Sequence, residues 1–410
     1  MGRIFSTLAE GTALRDTRAP FIGSTRPSIR PLRIIRSSLL REATVLVVGG
    51  AGYVGSIACR NLLEAGYNVI VLDPQLYGSQ SLAALLGQPG FELHIADTRD
   101  EHVLVDLLAR AGTVLHLGEI VGDPACDLDP QVTVSVNHTA TVRLAQLAVR
   151  AGVERFIYPS SCSVYGATEK IVDEHGPFTP ISLYGRLKLM SEREILALRS
   201  DRFHPTIFRL ATVYGLSPRP RFDLVVNTLA GRAATDRRIS VQGGGQWRPF
   251  VHVADVAEVL TRTVQLPLDE ISGEIFNVGS DSQNHTIADV AELVQARVPD
   301  VVVDVTEGTD RRNYRVSFAK LASTLGFTPS RTVTDGINEI VRAVENRHVV
   351  DVRDAQYSNV RALVETSART RLWRTDLRDS QPASPFRPRD VEDLRVAGTV
   401  AEQVLEDAVS

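Results

Sequence analysis

Apolar positions along the chain gather into short runs set apart by stretches long enough for helices. The runs are TVLVV at 44–48, NVIVLD at 68–73, FELHIAD at 91–97, TVLHL at 113–117, RFIYPSS at 155–161 and PTIFRLA at 205–211. Continuous β-branched runs, rather than alternating ones, mark strands covered on both faces, and their regular separation by helical segments marks βαβ units. The fold class expected is therefore α/β, a doubly wound parallel sheet spanning residues 43–215. After Gly215 the pattern loosens, with SPRPRF at 217–222 and short strands at EIFNVG (274–279) and VVVDV (301–305). Residues 216–365 are expected to form a smaller C-terminal α/β lobe, some of whose segments return to the main sheet. No internal repeat with a period of 20 to 50 residues is visible.

Composition changes this picture mainly at the ends. With 410 residues, 43% apolar and 23% charged, the chain can bury a large core. A net charge of -4 gives no general attraction to nucleic acid, and no apolar run reaches the roughly 18 residues that cross a bilayer. Three scattered cysteines fit a reducing compartment, so a cytoplasmic protein is expected. Residues 1–42 carry eight arginines, no lysine and prolines at 20, 27 and 31, and read as a disordered basic extension. A transit peptide or a misassigned start are the competing readings, Glu10, Asp16 and the prolines speaking against the first. Residues 366–410 turn polar again and read as a tail.

Candidate chemistry begins at TVLVVGGAGYVGSIACRNLLEAG, where a strand meets a helix through Gly49, Gly52 and Gly55. The first glycine allows a tight turn, the second lets backbone approach a pyrophosphate, and the third lets helix and strand pack closely. Gly49, Gly52, Tyr53, Val54 and Gly55 are thus candidate cofactor contacts in a Rossmann-type turn. Asp73, 21 residues after Gly52, is placed to accept from the adenosine ribose hydroxyls and would repel a 2'-phosphate, which favours NAD over NADP. Asp97 is a candidate acceptor for the adenine amino group or an ordinary helix N-cap.

In ISLYGRLKLMSEREI, Tyr184 and Lys188 stand four residues apart on a helical stretch and share one face. An ammonium beside a phenol stabilises the phenolate, so Tyr184 becomes a candidate general base. The chain holds only three lysines against 42 arginines, which makes Lys188 the more notable. Ser160, Ser161 and Ser163 end a strand at the sheet edge where ligands bind in such folds, and either hold a substrate oxygen or cap a turn.

Together, GGAGYVGS, SSCSVYG, YGRLK, RPFVHVADVA and FNVGS resemble the NAD-dependent epimerase/dehydratase family of extended short-chain dehydrogenases over about residues 44–365. The resemblance implies NAD as cofactor, a nucleotide-sugar substrate and a homodimer. It implies Tyr184 as base, Lys188 as its partner and ribose ligand, and Ser161 as the orienting hydroxyl. Asn137 is implied to help hold the active-site helix, a helix N-cap being the alternative. Substrate contacts fall on Ser161, Ser163, Arg248 and the cluster Arg311, Arg312 and Arg315. Thr212 stands where the family often has asparagine. Sugar dehydratases of the family carry an Asp-Glu pair where this chain has Cys162-Ser163, and Glu119 is an unusual residue in its loop, HLGEIVGD. The resemblance points to a 4-epimerase acting by transient oxidation at carbon 4. A keto-sugar reductase using the same residues is the runner-up, and a non-catalytic NAD-binding sensor is the alternative from another class. No metal site is expected.

Overall fold

The structure, a computed structural model, describes residues 40–78 and 80–367. Seven parallel strands build the central sheet, in the spatial order Ile275–Val278, His204–Leu210, Arg155–Ser161, Thr113–His116, Thr44–Val48, Asn68–Leu72 and Phe91–His94. The chain starts in the interior, at Thr44–Val48, winds outward to Phe91–His94, and then returns to the other side of its first strand at Thr113–His116. The order therefore reverses between Thr44–Val48 and Thr113–His116, and ligands of doubly wound sheets bind at such a point.

The apolar runs are continuous because both faces are buried, and successive residues go to opposite sides. Val45, Val47, Val69 and Val71 pack with Ala58 and Leu62 of the helix Gly55–Glu64. Leu46, Val48, Ile70 and Leu72 pack on the other side with Leu104 and Leu107 of the helix Glu101–Leu108 and with Leu144 and Ala148 of the helix Thr141–Ala151. Truncating a fully buried leucine such as Leu46 to alanine costs about 2–5 kcal/mol in such a setting.

Three small sheets stand apart from the central one. Trp247–His252 pairs with Thr212–Tyr214 and Asn284–Thr286, Arg238–Gln242 with Val302–Thr306, and Ala167–Val172 with Asn313–Val316. A second core lies under the first two of these, where Tyr214, Phe250, Val226, Val290, Ile337 and Ile340 meet. The strand expected at 274–279 does join the central sheet, through the pairing of Ile275 with Ile207.

The basic extension before residue 40 and the tail after residue 367 lie outside the described residues. Arg41, counted with the extension, is part of the fold: its guanidinium donates to the carbonyls of Ala111 (3.1 Å) and Ala151 (2.5 Å). Among the described residues no helix is long and apolar enough to cross a membrane.

Candidate active site

Two loops meet at the switch point. Gly49 ends the first strand at φ 83°, a left-handed backbone that glycine adopts without steric cost. A Cβ on Gly49 would lie 2.6 Å from the backbone of Leu117 and Gly118 in the loop that follows Thr113–His116. Gly55 allows equally close packing, since a Cβ there would stand 2.3 Å from the Gly49 carbonyl oxygen. No side chain caps the helix at Val54, which leaves the positive end of its dipole to whatever anion the turn receives. Asp73 is buried just beyond the second strand, its Oδ2 accepting from the Ala51 amide at 2.9 Å and its Oδ1 from Gln75 at 2.7 Å. Burial pushes its carboxyl up, against those two amide bonds. A turn without room for side chains, an uncapped helix start and a buried carboxylate at the next strand end fit a dinucleotide.

Two expected contacts are otherwise engaged. The Tyr53 hydroxyl donates to the Gly215 carbonyl at 2.6 Å and accepts from Asn227 at 3.3 Å, so this ring braces the glycine turn against the segment after Tyr214. Asp97 is no N-cap, since Asp100 caps the next helix. Its carboxylate instead takes both Nε (2.9 Å) and Nη2 (2.7 Å) of the buried Arg99.

The helix Leu183–Ala197 starts at Ser182, whose hydroxyl accepts from the Gly185 amide at 3.2 Å. Its spacing brings Tyr184 and Lys188 to one face, and the Lys188 Nζ lies 5.8 Å from the Tyr184 ring centre. Tyr184 faces Ser161, at the end of the strand Arg155–Ser161, closely enough for the serine to favour its phenolate. Ser161 also accepts from the Ser163 hydroxyl at 2.8 Å and from its amide at 3.1 Å, so one serine both caps the turn and faces the phenol. The turn-capping reading of the serine cluster is thus the one these bonds show.

The profile of the NAD dependent epimerase/dehydratase family matches residues 45–279. The chain belongs to the NAD-dependent epimerase/dehydratase family. It is an enzyme of the extended short-chain dehydrogenase type and uses NAD. It is 25% identical over 314 residues to a UDP-glucose 4-epimerase of Lactobacillus helveticus, covering 72% of this chain and 94% of that one. It is 28% identical to UDP-glucuronic acid decarboxylase 6 of Arabidopsis thaliana, over 77% and 92% of the two chains. Among solved structures, MoeE5 in complex with UDP-glucose and NAD superposes with a TM-score of 0.65 at 28% identity, over 74% of this chain and 99% of that one.

Against the pattern of the epimerase/dehydratase family, Lys188 carries a surprise. Its Nζ donates to the Pro159 carbonyl at 2.6 Å and lies 2.9 Å from Oε2 of Glu119, the unusual residue of the loop. Glu119 is itself buried. Its Oε1 accepts from the Tyr158 hydroxyl at 2.7 Å and from Thr141 at 3.3 Å. The Lys188 ammonium expected to stabilise the Tyr184 phenolate thus also faces a buried carboxylate. Burial pushes the phenol well above its ordinary range, the Glu119 carboxylate adds to this, and the Ser161 hydrogen bond opposes it. Beneath the pair, His116 stacks on Tyr158 at 5.9 Å and shares a 2.8 Å hydrogen bond with Thr141. Burial, followed by the Lys188 charge, lowers its pKa to about 3.

Asn137 does more than the alternative of a helix cap. It sits in a π-helical stretch, Ser135–Ala140, between the helices Pro130–Val134 and Thr141–Ala151. Its side chain pairs with the amide and carbonyl of Ile120, accepting at 2.8 Å and donating at 2.6 Å, while its carbonyl accepts from Ser191 of the helix Leu183–Ala197 at 3.3 Å. The residue thus ties the Glu119 loop to the helix of Tyr184 and Lys188, and π-bulges often occur at functional sites.

Of the arginines expected on a substrate pyrophosphate, Arg248, Arg312 and Arg315 make bonds within the protein, and Arg311 is exposed. Arg248 donates to Asp310 (2.8 Å) and to the Trp247 and Arg312 carbonyls. Arg312 pairs with Asp310 (2.6 Å) and Asp123 (2.8 Å). Arg315 donates to the Glu169 carbonyl at 3.2 Å and stacks on Trp247. Thr212 opens the strand Thr212–Tyr214 opposite Phe250. Sequence reasoning passed over Tyr77, Tyr158, Thr141 and Arg219, though the doubled arginine of SPRPRF was in view.

Proposed function

We propose that this enzyme is a nucleotide-sugar 4-epimerase. The observation that carries the reading is the Ser161–Tyr184 hydroxyl pair beside Lys188, with no carboxylic acid in the neighbouring Cys162-Ser163 position. The Cys162 thiol donates to the Arg209 carbonyl at 3.3 Å, burial pushes it up, and the Ser163 hydroxyl is committed to Ser161. Neither supplies the acid and base that water elimination needs. The named relatives act on, or are bound to, UDP-sugars, which supports the substrate class.

In this reading Ser161 holds the sugar carbinol against Tyr184. Tyr184 as phenolate takes the 4-hydroxyl proton and returns it to the same oxygen after the keto sugar has turned to present the other face of carbon 4. Lys188 holds positive charge beside the phenolate and keeps a donor for the ribose. Bound NAD would supply the hydride acceptor for the first half of the turnover and the donor for the second. Gly49, Gly52, Gly55 and Asp73 would hold the diphosphate and adenosine ribose.

The test is an assay of the purified protein with UDP-glucose, UDP-galactose and dTDP-sugars. Interconversion without added cofactor is expected. Stoichiometric NADH consumption on a keto sugar would replace the epimerase with a reductase, and silence with every substrate would overturn the reading.

A further inference from the structure

Arg219 is 5% exposed, and its Nε and Nη2 are buried without a hydrogen-bond partner. Of the arginines of the expected pyrophosphate clamp, Arg248, Arg312 and Arg315 donate within the protein, as described above, and Arg311 is exposed. The segment that carries Arg219 is fixed: the Ser217 hydroxyl donates to the Arg219 carbonyl at 2.7 Å and accepts from its amide at 3.1 Å. The guanidinium stacks 4.3 Å from the ring centre of Tyr77, in the loop that follows Asp73. The Tyr77 hydroxyl is a second buried polar group without a partner.

The charges around this pair do not balance. Arg221, two residues on, is matched by Asp223 through bonds of 2.9 and 3.0 Å, which leaves Arg219 without a carboxylate of its own. Burial and the like charge of Arg221 lower its pKa to about 10. Its own charge is felt at Asp73, whose Oδ2 is bound to the glycine turn through the Ala51 amide. A buried cation with unspent donors is costly unless an anion completes it, and a guanidinium fork suits two phosphate oxygens.

We propose that Arg219, laid on Tyr77, is a second arm of a diphosphate site beside Asp73 and the glycine turn. The ligand class is the diphosphate of a nucleotide, either that of the cofactor or that of a sugar nucleotide. For the second source the inference rests on the proposed function. Tyr77 supplies the plane that holds the guanidinium in place, and its hydroxyl is a further donor to the same anion.

The experiment compares wild type, Arg219→Gln and Arg219→Lys, with Arg262→Gln as a surface control, all as purified holoenzyme. NAD retained per subunit is measured by acid release, NAD loss is followed on dilution, and UDP affinity is read by calorimetry. Losing one charge-assisted pair predicts about 10–100-fold faster NAD loss or weaker UDP binding in Arg219→Gln. Arg219→Lys, which keeps the charge but not the fork, falls between, and carries the test if the glutamine variant does not fold. Faster NAD loss alone assigns the arm to the cofactor, and weaker UDP binding alone assigns it to the sugar nucleotide. Unchanged NAD retention and UDP affinity in both variants overturn the proposal. A wild-type holoenzyme that ignores UDP sinks the nucleotide-sugar reading instead, and Arg219 is then judged on NAD retention.

Discussion

Lys188 and Glu119 form an ion pair of 2.9 Å with both side chains almost wholly buried. A lysine that should sharpen a neighbouring phenol is thereby held by a carboxylate of the opposite sign, which the phenol also feels. The pair explains how the Glu119 carboxylate can be buried in the loop HLGEIVGD. It has a buried cation, a tyrosine and a threonine to satisfy it.

Glu119→Gln should therefore move the acid limb of the kcat/KM profile to lower pH. The base works as phenolate, so its activity rises as pH climbs through the phenol's pKa, and removing a negative neighbour lowers that pKa. The same change leaves a buried ammonium short of its partner and should cost about 3–5 kcal/mol of stability, visible as a lower Tm. A profile that stays in place would show that Glu119 acts on stability alone.

Tyr184→Phe removes the proton-transfer group and leaves the glycine turn untouched. Turnover should fall by about 10²–10⁴-fold, the usual worth of general acid-base catalysis, with NAD content unchanged. Ser161→Ala should fall less, since the carbinol loses an orienting partner and keeps its base. Assays of both variants beside their acid-released NAD decide this, and an active Tyr184→Phe would remove the assigned base.

Gly55→Ala tests the turn. Its Cβ would meet the Gly49 carbonyl oxygen at 2.3 Å, a contact that backbone must yield to. Overpacking of this kind costs about 1–3 kcal/mol, and it should also empty the protein of NAD. A variant with wild-type Tm and full NAD would show that the turn is looser than the geometry allows.

His116 gives the acid sensitivity a sign. Folded, it takes a proton only near pH 3, while an unfolded chain takes it near pH 6.5. Between those values the unfolded state binds more protons, so this residue makes stability fall as pH falls through that window. His116→Gln should flatten the slope of unfolding free energy against pH from about 6.5 downward, measured by denaturant titration at several pH values. An unchanged slope would assign the sensitivity to other groups.

Much of this was legible beforehand where chemistry is local. Strand runs, glycine spacing and the i,i+4 step from Tyr184 to Lys188 are properties of neighbouring positions, and they placed the sheet and set Tyr184 and Lys188 on one helix face. Partnerships across long separations were not legible. Nothing near Lys188 announces Glu119, 69 positions earlier, and nothing near Arg248 announces Asp310. Arginines are hard to assign for the same reason: Arg248 and Arg312 look like ligand groups until their carboxylates are found. Asn137 could be guessed as an anchor, but the π turn that directs it at Ile120 depends on tertiary packing.

The return of Ile275–Val278 to the edge of His204–Leu210 has a bearing on how this enzyme can be taken apart. A fragment ended at Gly215 keeps the glycine turn, Asp73, Tyr184 and Lys188 and yet bares a raw strand margin, the kind of surface that recruits other chains. The parts of the chain before and after Gly215 are thus stitched together, and swapping one for a foreign counterpart would have to carry that last strand along.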